Sequence, residues 1–231
     1  MNSGPQEGLT DVSNVTAEIS VSLDGYVAGP NQTLEEPLGK GGEELHAWAF
    51  PLKTFREAHG REGGETGADD DLLAASFAAP GAHVMGRRMY SGGAGPWQDD
   101  PNPNGWWGDD PPFRRPVFVV THHEREPLTL GETTFTFVTA GVESAIEQAR
   151  AAAGGKNVAI AGGAAVIQQT LAAGLLDELL LHVAPMLLGG GVRLFEDVEP
   201  RDLELTQLLE SPTGVAHLRY RSASSVSGSK K

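Results

Sequence analysis

The spacing of apolar residues changes several times along this chain, and the changes mark its elements. Residues 15–23 alternate apolar and polar in the manner of a strand, then break at Asp24-Gly25, a pair suited to a turn with positive φ. A loop carrying Gly29, Pro30 and Asn31 follows. Leu45, Trp48, Ala49, Leu52 and Phe55 recur at spacings of three and four, which predicts an amphipathic helix over 43–58, kinked or divided by Pro51. Residues 60–71 are rich in glycine and acid and read as a loop. Asp70 or Asp71 caps a helix over about 72–79, because a carboxylate there accepts from the free N–H groups of the first turn. A short buried strand is predicted at 82–85.

Residues 91–112 hold Gly, Pro, Asn, Asp and Trp without periodicity, and a loop of that length is either functional or disordered. Trp97, Trp106 and Trp107 favour the first option. Strands are predicted at 117–121, ending on the polar pair His122-His123, and at 135–138. A helix over 142–153, apolar at Val142, Ala145, Ile146 and Ala149, stops at Gly154-Gly155. Strand 157–161, helix 165–172 and strand 178–183 follow, and the segments 203–209 and 215–220 read as a hairpin at the sheet's edge. Alternating strands and helices predict a single α/β domain with a mostly parallel sheet, helices on both faces and a C-terminal antiparallel hairpin. The domain is expected over 15–221, between disordered tails at 1–14 and 222–231.

The chain has 231 residues, 39% of them hydrophobic, enough for one core. Its formal charge of −14 makes the electrostatic term for nucleic acid or anionic membrane repulsive, so neither is expected as a partner. The absence of cysteine excludes disulfides and thiolate metal sites and fits a reducing compartment. The first residues carry neither a basic region nor an apolar run, so no signal peptide is read, and no apolar stretch approaches the roughly 20 residues of a membrane span. A cytoplasmic protein is expected.

Three strand ends carry groups suited to an anion. The segment 158–166 runs from a buried strand through Gly162-Gly163 into a helix. Glycine lets the backbone approach a pyrophosphate, and the helix start at Ala164, Ala165 and Val166 offers free N–H groups. The same segment also reads as a plain tight strand-to-helix connection. Gly86, Arg87 and Arg88 stand at a second junction, where arginine suits phosphate, although taken alone they read better as a solvated basic pair on a very acidic protein. Thr121, His122 and His123 end a third strand. Adjacent histidines point to opposite faces, which disfavours a shared metal, and no metal site is expected. Asp69, Asp70 and Asp71 cannot all converge on a cation from one helix start.

Taken with the opening Ser22-Leu23-Asp24-Gly25-Tyr26-Val27-Ala28, these strand ends resemble the dihydrofolate reductase superfamily, and most closely the reductase domain of bacterial riboflavin biosynthesis. Residues 22–28 match that group's S-L-D-G-x-x-A loop, Met85-Gly86-Arg87 its M-G-R motif, and Gly162-Gly163 its cofactor-contacting pair. Leu176-Asp177-Glu178-Leu179, Ala184-Pro185 and Leu188-Gly189-Gly190-Gly191 are similar to its later segments. The resemblance covers about residues 15–220.

The resemblance implies hydride transfer from NADPH to a small heterocyclic, carbonyl or imine substrate. Arg87, Arg88 and Thr121 to His123 would flank the 2′-phosphate. Gly162 to Val166 would hold the pyrophosphate and nicotinamide side, and the loop with Gly25 would close over the nicotinamide. Asp24 and Glu44 are the candidate catalytic groups, and Tyr26 and Trp48 the candidate substrate contacts, although Trp48 also reads as core. Lys40, Lys53 and Arg56 are the few basic groups near the first helix for a ribose phosphate. The deaminase half's zinc-binding His and Cys pattern cannot exist in a chain without cysteine. Alternatives are the riboflavin-pathway or a folate reductase proper, and a non-catalytic ligand-binding or dimerisation module. A homodimer is expected, with the apolar run 179–188 serving either interface or core.

Overall fold

The structure, a computed structural model, describes residues 13–93 and 95–222. Most of the two expected tails lies outside these residues, while Ser222 ends a strand. In chain order the elements are β1 (Val15–Ser22), β2 (Tyr26–Ala28), α1 (Lys53–Ala58), α2 (Ala68–Ala78), β3 (Pro80–Gly86), α3 (Arg87–Ser91), β4 (Pro116–Val120), β5 (Leu128–Leu130), β6 (Thr133–Val138), α4 (Val142–Ala152), β7 (Asn157–Gly162), α5 (Ala164–Ala172), β8 (Glu178–Ala184), β9 (Val192–Arg193), β10 (Leu203–Glu210) and β11 (Ala216–Ser222).

Nine strands form one sheet in the order β10-β11-β8-β1-β7-β3-β4-β6-β5. The six from β8 to β6 are parallel, and the continuous apolar runs of β4 and β8 suit strands covered on both faces. β11 and β10 extend one edge antiparallel as the expected hairpin, and β5 closes the other. A separate ribbon pairs β2 with β9.

Three apolar clusters hold the layers. The largest packs α4 and α5 on one face of the sheet, through Ile146, Ile160, Ile167 and Leu171, all at 1% exposure or less. Each such side chain contributes about 1.5–3 kcal/mol by leaving water. On the other face, Trp48, Ala49, Leu52, Leu73 and Val215 pack the segment before α1 and α2. Beside them Met85, Tyr90, Val117, Phe135 and Phe137 lie under the 91–112 loop. That loop is packed: Trp97 Nε1 donates to the His123 carbonyl at 2.9 Å, and Trp106 Nε1 donates to the Met89 carbonyl at 2.8 Å.

Two local expectations need correction. The helix over 43–58 is a 3₁₀ turn at Glu43–His46, irregular turns, and then α1, because Pro51 interrupts the ladder and its carbonyl accepts instead from Glu65 N–H. The loop over 60–71 ends early, since α2 begins at Ala68 with Gly67 as its N-cap. Asp70 therefore caps another helix, its Oδ1 accepting from Thr54 N–H at the start of α1.

Leaving β3, the chain passes through α3 to β4; leaving β7, it passes through α5 to β8 on the opposite side. Adjacent parallel strands whose connections diverge leave a crevice beyond their C-terminal ends, the usual ligand position in such sheets.

Candidate functional site

The crevice is filled out by the registers of its strands. Gly86 pairs with Val120 across β3 and β4, and Met85 with Gly162 across β3 and β7. Gly86, Val120-Thr121 and Gly162-Gly163 thus reach one level. A cleft of about 1980 Å³ opens there and runs along the sheet to Trp48 and His182.

One half of the cleft is glycine and helix start. A Cβ at Gly86 would lie 3.1 Å from Val166 Cγ2 and 3.8 Å from Gly163 N, so the two glycine junctions face each other closely. Gly162 has φ +125°, a backbone that disfavours other residues, and the Gly162-Gly163 peptide is cis. No side chain caps α5, whose N-cap is Gly163, so the Ala164 and Ala165 N–H groups are left for a ligand, while Val166 N–H donates to the Gly163 carbonyl at 3.1 Å. Ala164, exposed Ala165 and Val166 all line the cleft.

The two arginines part company. Arg88 is exposed on the cleft and forms no ion pair with a described residue. Arg87 is 7% exposed, bound to Asp100 and Ser91, with its guanidinium carbon 3.6 Å from the Trp97 ring centroid. Burial opposes ionisation of Asp100, yet the Ser91 hydroxyl and Arg87 hold its carboxyl below the usual range. Arg87 also lines the cleft, but its charge is paired with Asp100, whereas that of Arg88 is not paired with a described residue. Thr121 and His122 line the cleft; His123 does not, and its carbonyl anchors Trp97.

The candidate catalytic acids lie outside this cleft. Asp24 accepts from Ser22 Oγ at 2.6 Å, Leu188 N–H at 3.0 Å and Gly189 N–H at 2.7 Å. The Ser22 hydroxyl first, and then these N–H groups, hold its pKa at about 2. At neutral pH it has no proton to donate and serves as a clamp between two loops. Glu44 is exposed and off the cleft. Gly25, with φ +87°, makes the turn beside the clamp, and Tyr26 lies against Arg193, guanidinium to ring 4.5 Å. Neither lines the cleft. Lys40, Lys53 and Arg56 do not line it either: Lys53 pairs with Glu57, and Arg56 binds the Glu62 and Gly63 carbonyls.

Trp48 does line the cleft, 5% exposed, with Nε1 donating to Ser20 Oγ at 3.1 Å. Around it stand groups that the sequence reading passed over. Glu18, His46 and His182 share this half of the cleft. The Trp48 ring lies 4.4 Å from that of His182 and 4.8 Å from that of His217. His46 is held neutral, its pKa lowered to about 4 by burial and by the neighbouring His182. The available signal was periodic: Glu18 and Ser20 stand two apart on one face of β1, and His182 interrupts the apolar run that follows Glu178 in β8.

A doubly wound sheet with glycine junctions at its crevice defines a dihydrofolate reductase-like fold. Residues 13–217 match the family described as the RibD C-terminal domain, and the chain belongs to that family. Among solved structures it is similar to the Shewanella sp. PV-4 protein named for riboflavin biosynthesis, at TM-score 0.59 and 20% identity, covering 91% of this chain and 99% of that one. It is also similar to the Thermotoga maritima diaminohydroxyphosphoribosylaminopyrimidine deaminase/5-amino-6-(5-phosphoribosylamino)uracil reductase, at TM-score 0.55 and 14% identity, and to Acinetobacter baumannii RibD, at 0.51 and 18%. It covers 57% and 59% of those two longer chains, with 92% and 93% of its own length. At these identities the likeness shows the fold. No curated protein matches the chain. Among the described residues no helix is long and apolar enough to cross a membrane.

Proposed function

We propose that this chain is an NADPH-dependent reductase of a small nitrogen heterocycle or related imine or carbonyl compound. A pyrimidine of the riboflavin-pathway type, 5-amino-6-(5-phosphoribosylamino)uracil, is the first substrate to try. Family membership favours that pathway substrate over a folate. The observation that carries the reading is the two-sided cleft, with an uncapped helix start, facing glycines and Arg88 at one end and Trp48, Glu18 and His182 at the other.

The residues present fit the cofactor: a Cβ at Gly86 would crowd Val166, the positive φ of Gly162 suits glycine, the backbone at Gly163 is open, and Arg88, Thr121 and His122 supply donors. When bound, NADPH supplies a hydride. The chain's own share is to align the acceptor over the nicotinamide, exclude water and supply a proton. Trp48 offers an apolar wall to a planar ring. Arg61 and His59, which line the far end of the cleft, are the groups positioned there for a substrate phosphate.

We further propose a homodimer formed through β10, an edge strand exposed along its length, with Leu205 and Leu208 at 50% and 63% exposure. Of the run 179–188, Leu179, Leu180, Leu181 and Ala184 are buried in the core, while Leu187 is 71% exposed. The function is tested by following NADPH oxidation with 5-amino-6-(5-phosphoribosylamino)uracil. Turnover supports the reading, and cofactor binding without turnover moves the search to other heterocycles.

A further inference from the structure

Beneath Trp48 four titratable side chains stand in a row across four elements. Glu18 Oε1 of β1 lies 2.8 Å from His182 Nε2 of β8. His182 Nδ1 lies 2.6 Å from His217 Nδ1 of β11. His217 Nε2 in turn lies 3.4 Å from Asp69 Oδ1 of α2. That last contact is not angled as a hydrogen bond, but neither atom has another partner among the described residues. Asp69 Oδ2 accepts from Ser211 Oγ at 2.5 Å. His182 and His217 are 2% and 1% exposed, and only the Glu18 end, with His182 behind it, lines the cleft.

The row can be counted in protons. Its two hydrogen-bonded contacts, Glu18–His182 and His182–His217, need one proton each, and the third sets two buried, unpartnered lone-pair atoms, His217 Nε2 and Asp69 Oδ1, 3.4 Å apart, where a proton relieves the repulsion. Two neutral imidazoles carry two. With only those two, either the Nδ1 atoms face each other as bare lone pairs at 2.6 Å, or His217 Nε2 is left bare in the interior against the Asp69 carboxylate. We propose that the row holds a third proton and that Glu18 delivers it to the acceptor atom of a compound reduced in the cleft. This rests on the reductase reading above.

The balance is complete. The acceptor carbon takes the hydride with both its electrons, the π pair of the C=N or C=O bond moves to the heteroatom, and that atom takes the proton. The Glu18 O–H bond breaks and its pair remains on the carboxylate. That carboxylate then faces an unprotonated His182 Nε2, one bond short, and a proton drawn from water at the open cleft restores the row. Burial, with His182 next, lowers the pKa of His217 and disfavours storage as an imidazolium there, while Asp69 and Glu18 act in the other direction. His46, held neutral, also faces His182. Glu18 is the catalytic group; His182, His217 and Asp69 position it and set its proton count.

The test uses the full chain labelled with ¹⁵N-histidine, first without cofactor. The expected result is one strongly deshielded proton correlated with Nδ1 of both His182 and His217. E18Q keeps every bond, because its amide N–H can donate to His182 Nε2, but it has no proton to give. Its shared-proton signal and NADPH Kd should match wild type, while kcat with 5-amino-6-(5-phosphoribosylamino)uracil falls about 100-fold, the usual worth of a general acid. Absence of the shared proton, or E18Q turning over like wild type, overturns the proposal. Wild type that binds no NADPH overturns the reductase reading and the delivery step with it, and the row is then judged on the cofactor-free signal alone.

Discussion

The guanidinium carbon of Arg87 lies 3.6 Å from the ring centroid of Trp97, and the same guanidinium is bound to Asp100 in the interior. The second arginine of the pair, Arg88, is left to the cleft. The two should therefore fail differently when removed. R87A strands a buried carboxylate and should cost about 3–5 kcal/mol of stability, read from urea midpoints. R88A should leave the midpoint unchanged and raise the NADPH Kd about tenfold, the worth of one charge-assisted hydrogen bond, with little change for NADH.

A carboxylate at the start of α5 separates stability from binding. Ala165 is exposed on the first turn of an uncapped helix. A165E adds favourable charge to the helix dipole and should stabilise the fold by about 0.3–1 kcal/mol. The same charge repels a pyrophosphate, so NADPH binding measured by calorimetry should weaken at least tenfold, as follows from roughly 1.4 kcal/mol of repulsion. Equal binding by A165E would place the phosphates elsewhere.

The Asp24 clamp predicts a signed response to acid. Its carboxyl has a pKa of about 2 when folded, against an ordinary 3.8. The contribution is present above the unfolded value and is lost as pH falls from 3.8 through 2. D24N presents an amide N–H to Leu188 or Gly189 N–H and should be less stable than wild type at pH 7. The gap in urea midpoint should close toward pH 2.

His83 gives a second, higher window. Burial first, and then Arg115, push its pKa to about 4 from 6.5, and its Nδ1 has no partner among the described residues. The neutral form is bound in the fold, so stability is retained above 6.5 and declines as pH falls toward 4. One such group contributes at most on the order of 3 kcal/mol to that decline. H83F should flatten the slope of urea midpoint against pH over that window.

What could be read from the chain was what is local. The strands of the parallel sheet, the helix ending at Gly154, and the edge hairpin follow from periodicity and stop residues within short windows. The 43–58 segment misled because its apolar spacing is helical while Pro51 removes a donor in its middle. β2, β5 and β9 have two or three residues each, too few to show a period. At the site, the glycine junctions and Arg88 were legible because they end strands. The row from Glu18 to Asp69 was not, since its members are separated by 164, 35 and more than 140 residues and meet only through strand order. Asp24 drew attention as an acid in a motif, and only its three donors show it to be a clamp.

The central claim is a cofactor site that prefers NADPH, and the most direct measurement is titration of the purified chain with NADPH and NADH, following quenching of its four tryptophans. Trp48, Trp106 and Trp107 line the cleft, so a bound nicotinamide should quench them. The account predicts binding at micromolar NADPH with clear preference over NADH. No quenching and no binding at millimolar cofactor would contradict it.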